Sequence, residues 1–326
     1  KKEPILGMMN INVGRFGIEE QFEKQLRGTP GTKHLEVNAF GKIVRELRRE
    51  NSMPGQNIKL SIDIKLQKYL HSLLKNKSGS IVAMDPQNGE IIGMASSPSF
   101  DPNSFHKGLT EDEWKKLSED SLSPLVNKAI SGEYSPGSAF KTVVLLSAFK
   151  NKILKKNSII LCTSKLEVGD KNFYCWCHKK KTGCYAAKDH KRRVGVKLAL
   201  AQSCDCFFYE LAKRIGIDKI ASTSRDLGLG KKTGINIEGE KTGLIPTRSW
   251  KKKNIGKAWQ VGETMLTGVG QGYITSTPIQ LALISALIAN NGNRIFPIIN
   301  LDNLDPISYA QGYKIDEYKK YFALIR

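Results

Sequence analysis

Two short patterns carry side chains able to do covalent chemistry. The first is Tyr134-Ser135-Pro136-Gly137-Ser138-Ala139-Phe140-Lys141, which contains Ser-x-x-Lys. Pro-Gly punctuates the chain just ahead of an apolar-periodic stretch, Phe140–Phe149, so the spacing predicts Ser138 in a first helical turn. Positions three apart share a helix face, which sets the Lys141 amine beside the Ser138 hydroxyl. A serine hydroxyl is a weak nucleophile until a neighbour removes its proton, and a neutral lysine amine in a desolvated site can remove it. Standing alone, the pattern is common; an ordinary helix cap followed by a surface lysine reads the same. The second pattern, Ser203-Cys204-Asp205, lies directly before the helix-like Cys206–Ile215 and offers another hydroxyl and a carboxylate.

Six cysteines, at 162, 175, 177, 184, 204 and 206, fall in one part of the chain beside His178 and His190. A disulfide scaffold spreads its cysteines over a small domain, so this clustering favours a local metal site. Disulfides remain the competing reading, with thiols in a Lys-rich loop as a third.

The elements that must position these groups can be read from patterning. Ile18–Leu26 has a helical pattern, His34–Val37 and Val44–Leu47 alternate, and Pro54-Gly55 closes a first unit, residues 1–56. Ile58–Ile62 alternates as a strand, and Asp63 is placed to cap a helix over Ile64–Leu74. Ser80–Met84 and Ile91–Ala95 flank an Asn-Gly step, the signature of a hairpin. Helical patterns follow at Glu111–Leu117, Phe140–Phe149, Val196–Ala201, Phe207–Ile215 and Pro278–Ala289. A hairpin followed mainly by helices predicts an α/β chain of the α+β type: an antiparallel sheet flanked by helices in residues 57–326, not a doubly wound fold. Lys165–Arg193, rich in Lys and Cys, reads as an insertion.

The chain has 326 residues, 51 Lys and Arg against 31 Asp and Glu, and a net charge of +20. That length allows about two domains. The charge favours an anionic polymer or membrane surface as partner; without a nucleic-acid module, nucleic acid is not expected. No stretch reaches the ~18 apolar residues of a membrane span. The opening at Lys1 rather than Met reads as that of a fragment, with an anchor expected upstream.

Ser-x-x-Lys, a Ser-containing triplet and a Lys-Thr-Gly strand together mark the penicillin-binding proteins and their β-lactamase relatives. The chain resembles the elongation-type class B penicillin-binding proteins over roughly residues 14–290. Gly17-Ile18-Glu19, Leu26-Arg27-Gly28 and Glu36-Val37-Asn38 are similar to that family's membrane-proximal pedestal, to which residues 1–56 are assigned. Ser61-Ile62-Asp63, Val82-Ala83-Met84-Asp85-Pro86, Asn127-Lys128-Ala129-Ile130 and Pro136-Gly137-Ser138 resemble successive parts of its transpeptidase domain. So do Gly270-Gln271-Gly272 and Thr277-Pro278-Ile279-Gln280. The Asp at the third place of the second motif resembles the elongation subgroup rather than the division one.

The resemblance implies a peptidoglycan D,D-transpeptidase. Ser138 would form an acyl-enzyme with a stem peptide, Lys141 would take its proton, Ser203 would relay a proton to the leaving amine, and Asp205 would orient the donor peptide. Gly270, Gln271 and Gly272 would shape the substrate cleft, and β-lactam antibiotics would acylate Ser138. It also implies a structural zinc on Cys162, Cys175, His190 and Cys204, with His178, Cys177 and Cys184 as competing ligands. The implied partner is a membrane glycosyltransferase of the elongation machinery, and the implied location the bacterial inner membrane with this part in the periplasm. The third motif is not found after Gly272. Two Lys-Thr-Gly triplets, Lys232–Gly234 and Lys241–Gly243, precede Gly270 and are read as decoys. Gly234–Gly239 imitates a phosphate loop, but Glu240 stands where Lys is required. A serine β-lactamase, a β-lactam sensor and a catalytically silent cell-wall scaffold remain as rivals.

Overall fold

The computed structural model describes residues 13–178, 192–302 and 315–325. The N-terminal part holds α1 (Gly17–Gln21), α2 (Glu23–Arg27) and the antiparallel hairpin β1 (Thr32–Val37) with β2 (Ile43–Glu50). The single helix expected over Ile18–Leu26 is therefore two, parted at Phe22, whose φ of −109° and ψ of 19° leave the helical range. Every residue of β2 is exposed, so this hairpin has no core of its own.

The predicted strand Ile58–Ile62 is reduced to a bridge. Leu60 pairs with Asn300, and the Ser61 N–H donates to Ile299 O at 2.9 Å. Asp63 does cap α3 (Ile64–Leu73), accepting from the Leu66 N–H at 2.8 Å. β3 (Gly79–Met84) and β4 (Ile91–Ser97) form the expected antiparallel pair. Along β4, Ile91, Gly93 and Ala95 point inward in strict alternation, as the period of two requires. Gly93 lets α3 approach: a Cβ there would sit 2.7 Å from Leu70 Cδ1.

Helices α4 (Pro102–Lys107), α5 (Glu111–Ser118) and α6 (Lys128–Ser131) lead to α7 (Lys141–Lys150). Of the ten α7 residues, those from Val143 to Phe149 are all buried, so this helix is apolar all round and lies in the core. β5 (Ile159–Cys162), β6 (Lys165–Val168), β7 (Lys171–Tyr174) and β8 (Arg192–Gly195) form two further antiparallel pairs, β5–β8 and β6–β7. Then come α8 (Val196–Ala201), α9 (Asp205–Ile215), α10 (Ile217–Asp226), α11 (Arg248–Ile255), α12 (Val261–Gly268), α13 (Pro278–Ala289) and α14 (Lys319–Ile325).

The main core gathers side chains of α7, α9, α10, α12 and α13 around Val144, Leu145, Phe207, Leu211 and Met265. A second apolar cluster, including Ile91, Ile130, Ile237 and Ile279, joins the β3–β4 hairpin to α6 and α13. The α+β reading thus holds, though among the described residues the sheet consists of two-stranded ladders extended by single bridges. No helix of the described residues is long and apolar enough to cross a membrane.

Candidate active site

The Ser138 turn is set from both sides. Tyr134 pairs with Ser276 through two backbone hydrogen bonds of 2.9 Å, which fixes the approach to the turn. Gly137 then takes φ +56°, and its N–H donates to Gly270 O at 2.9 Å. Gly137–Phe140 is a 3-10 turn that runs directly into α7. Phe140 is buried and anchors it, while Ser138 stays exposed at its start.

Ser138 Oγ accepts a hydrogen bond from Ser203 Oγ at 2.9 Å. Lys141 Nζ donates to Ser203 Oγ at 2.8 Å, Ser203 O at 3.0 Å and Asp205 Oδ1 at 2.6 Å. Ser203 Oγ thus links the two residues of the Ser-x-x-Lys pattern, bonding both the Lys141 amine and the Ser138 hydroxyl. An ammonium has three protons and no acceptor, and these three oxygens use all of them. The side chain is buried, and its Nζ lies 5.4 Å from the centroid of the Phe208 ring, within cation–π range.

Ser203 and Asp205 are aimed by a tight junction between two helices. The Ser203 N–H donates to Leu200 O at 3.0 Å and the Cys204 N–H to Ala199 O at 2.9 Å, closing the end of α8. Ser203 takes φ +48°, an uncommon conformation for a non-glycine residue and one that collects at functional sites. Asp205 opens α9, where the helix dipole favours a carboxylate. Its second oxygen, Oδ2, accepts from the Trp176 N–H at 3.0 Å. The Trp176 indole Nε1 donates to Gln202 O at 2.9 Å and to Ser203 O at 3.1 Å. Trp176 follows Cys175 in the chain, and nothing beyond that adjacency signals its spatial role in the sequence.

Of the three residues expected to shape the cleft, Gly270 is buried against the nucleophile turn. Gln271 and Gly272 are exposed beyond it. A Cβ on Gly270 would lie 2.1 Å from Gly137 O, so only glycine allows the two backbones to meet. The two Lys-Thr-Gly triplets lie outside any strand. Thr233 is buried, and Glu240 Oε1 accepts from both its N–H, at 2.5 Å, and its hydroxyl, at 2.6 Å. Thr242 O is held by Gln280 Nε2 at 2.8 Å. Both triplets therefore serve a packed loop.

Beneath Asp205, three elements bring sulfurs together. Cys162 ends β5, Cys175 follows β7, and Cys204 precedes α9. Their Sγ atoms all lie within 4.8 Å of one another, and all three residues are buried. No disulfide joins any two of the described cysteines. Cys206 is adjacent: hydrogen bonding with Cys162 and Cys175, then burial, pushes its thiol far above the ordinary range. Three soft sulfur donors converging in a buried pocket suit tetrahedral zinc. His190 and Cys184 lie outside the described residues. His178 faces Ser164, with Nδ1 and Oγ 3.0 Å apart.

Comparison with known proteins agrees with this geometry. Residues 79–312 match the penicillin-binding protein transpeptidase domain. Residues 8–60 match the penicillin-binding protein dimerisation domain. The peptidoglycan D,D-transpeptidase MrdA of Haemophilus influenzae is 36% identical over 283 residues, covering 86% of this chain and 42% of the relative. MrdA of Escherichia coli K12 is 35% identical, with 86% and 43% covered. The chain thus spans less than half the length of these curated relatives. Penicillin-binding protein 2 of Helicobacter pylori, solved in complex with MreC, superposes with a TM-score of 0.82 at 32% identity, covering 96% of this chain and 57% of that one. The chain belongs to the penicillin-binding protein transpeptidase family.

Proposed function

We propose that this chain is the catalytic part of an elongation-type peptidoglycan D,D-transpeptidase. The observation that carries the reading is the continuous hydrogen-bonded line Ser138–Ser203–Lys141–Asp205 at an exposed helix start. The Lys141 ammonium must first release one proton to solvent; the neutral amine then keeps two donors, for Asp205 and Ser203 O, and turns its lone pair to Ser203 Oγ. The Ser138 proton then passes to Ser203 Oγ while the Ser203 proton passes to Lys141. Ser138 Oγ bonds to the carbonyl carbon of the penultimate D-Ala of a stem peptide. The C–N bond breaks, and the leaving amine takes the proton back along the same line. The amine of a second stem peptide attacks the ester, forms the cross-link and releases Ser138. The Ser138 N–H, at a first turn with no helical acceptor, is one donor to the developing oxyanion.

β-Lactams would acylate Ser138 by the same route. A structural zinc would be held by Cys162, Cys175 and Cys204, with His190 as fourth ligand. When bound, it would tie β5, the loop after β7 and the start of α9 to one point. A membrane glycosyltransferase is the proposed partner, and the outer face of the inner membrane the proposed location. The test is intact mass with excess penicillin. One stable adduct per chain, mapped to Ser138 and absent in Ser138→Ala, is expected. Rapid drug turnover would favour the β-lactamase rival, and no adduct on folded protein would refute the catalytic reading of this chain.

A further inference from the structure

We propose that Trp176 is a positioning residue of the acyl-transfer site, acting through Ser203. The proposal rests on the transpeptidase reading. Ser203 must hold its hydroxyl between Ser138 and Lys141, and it does so from a left-handed backbone at φ +48°. A serine there relaxes unless its surroundings hold it. Lys141 holds Ser203 O from one side, at 3.0 Å. From the other side the Trp176 indole N–H spans two consecutive carbonyls, Gln202 O at 2.9 Å and Ser203 O at 3.1 Å. This one donor pins the peptide units on both sides of the Ser203 Cα, and so fixes where Oγ points.

The backbone around Trp176 holds the indole in register with the site. Its backbone N–H donates to Asp205 Oδ2, leaving Oδ1 for Lys141. Its own position is fixed by Cys175 immediately before it, whose N–H donates to Ser164 O at 2.8 Å, and by the His178 N–H, which closes on Cys175 O at 2.9 Å. Trp176 is 44% exposed. A residue that exposed contributes little to the core, so its hydrogen bonds, and not its burial, are what a substitution removes. The sulfur cluster beneath thus meets the reacting hydroxyls at two points, through Cys204 itself and through Trp176 after Cys175.

The test replaces Trp176 with 3-benzothienylalanine, which keeps the bicyclic shape and lacks the N–H, with Trp176→Phe as companion. Acylation by a fluorescent penicillin is followed at several concentrations, to separate the dissociation constant of the first complex from the acylation rate constant. Both variants are expected to lose roughly 10- to 100-fold in the acylation rate constant. The dissociation constant should stay within about twofold, and the melting temperature within about 3 °C. Wild-type acylation rates in the benzothienyl variant would overturn the proposal. So would a loss confined to melting temperature or active fraction, which marks a merely structural side chain. Hydrogen exchange of the amides at 203–206 provides an arm independent of acylation, and so decides even if the parent chain fails to acylate. About tenfold faster exchange in the variants is expected if the indole pins this turn; unchanged exchange refutes it.

Discussion

Gly270→Ala tests whether the nucleophile is placed by backbone-to-backbone contact. Gly137, directly before Ser138, donates its N–H to Gly270 O at 2.9 Å. The alanine Cβ would lie 2.1 Å from Gly137 O, 2.6 Å from its N and 2.7 Å from its C. These are main-chain atoms and cannot swing away as a side-chain tip can. Restoring van der Waals contact requires the Ser138 turn to retreat by about 1 Å. The Gly137–Gly270 hydrogen bond is then lost, at about 1 kcal/mol. The φ of +72° adds left-handed strain of about 1–2 kcal/mol for alanine. Together these come to roughly 2–3 kcal/mol of stability. A displacement of that size in a nucleophile corresponds to roughly 100-fold in rate. Gly256→Ala is the matched control, because it has φ +74° and nothing within 4 Å of its Cβ. It carries the strain without the clash. Stopped-flow acylation with a fluorescent penicillin, alongside thermal denaturation, separates the two. If Gly270→Ala acylates as fast as Gly256→Ala, the turn is not positioned by this contact and the reasoning fails.

The remaining predictions concern other parts of the molecule. Lys232→Ala and Lys241→Ala should each leave penicillin acylation within about twofold of the parent, since exposed side chains of a packed loop carry no chemistry; a large loss in either would restore its triplet as the third motif. Purified protein should contain one zinc per chain by elemental analysis, and Cys204→Ser should lower that content; intact disulfides in metal-free protein under non-reducing peptide mapping would refute the zinc assignment. Tyr318→Phe removes hydrogen bonds to Asp226, at 2.7 Å, and to Lys150, at 2.9 Å, so urea denaturation should show a loss of about 1–2 kcal/mol. The same cluster sets an alkaline limit. Burial pushes the Tyr318 hydroxyl up to about 12. Burial opposes the charge on Lys150, but hydrogen bonds to Asp226, Tyr318 and Glu317 outweigh it and raise that group too. Both folded values are raised, so their contribution is full below the unfolded values of about 10 and falls as pH rises through the folded ones. The urea midpoint should decline from about pH 10 upward, and less steeply in Tyr318→Phe; a flat profile would contradict the cluster's geometry.

What the chain itself determined is local. Pro136-Gly137 marked the start of the nucleophile turn, and the apolar run after it marked α7, because turn chemistry and helical periodicity act over a few residues. The β3–β4 hairpin was legible for the same reason: Asn88-Gly89 closes the turn and period two writes the strands. Asp63 announced its helix, and the ordered motifs announced the family. Ile18–Leu26 read as one helix because its interruption at Phe22 has no breaker residue to betray it.

Tertiary structure decided the rest. Ser203 stands between Ser138 and Lys141 because a buried ammonium seeks three oxygens, and those oxygens come from a junction 62 residues or more along the chain. The Ile58–Ile62 strand shrank to a bridge because pairing depends on what segment 298–300 offers, not on alternation alone. The backbone contact of Gly270 with Gly137 exists only once their two segments are packed together. Trp176 carried no pattern at all, since a single indole aimed at two distant carbonyls leaves no periodicity to read. Spacing along the chain encodes neighbours within a turn of helix or a pair of strands. Which hydroxyl faces which amine depends on how those elements pack, and that is settled by burial of the α7 and α9 faces around one core.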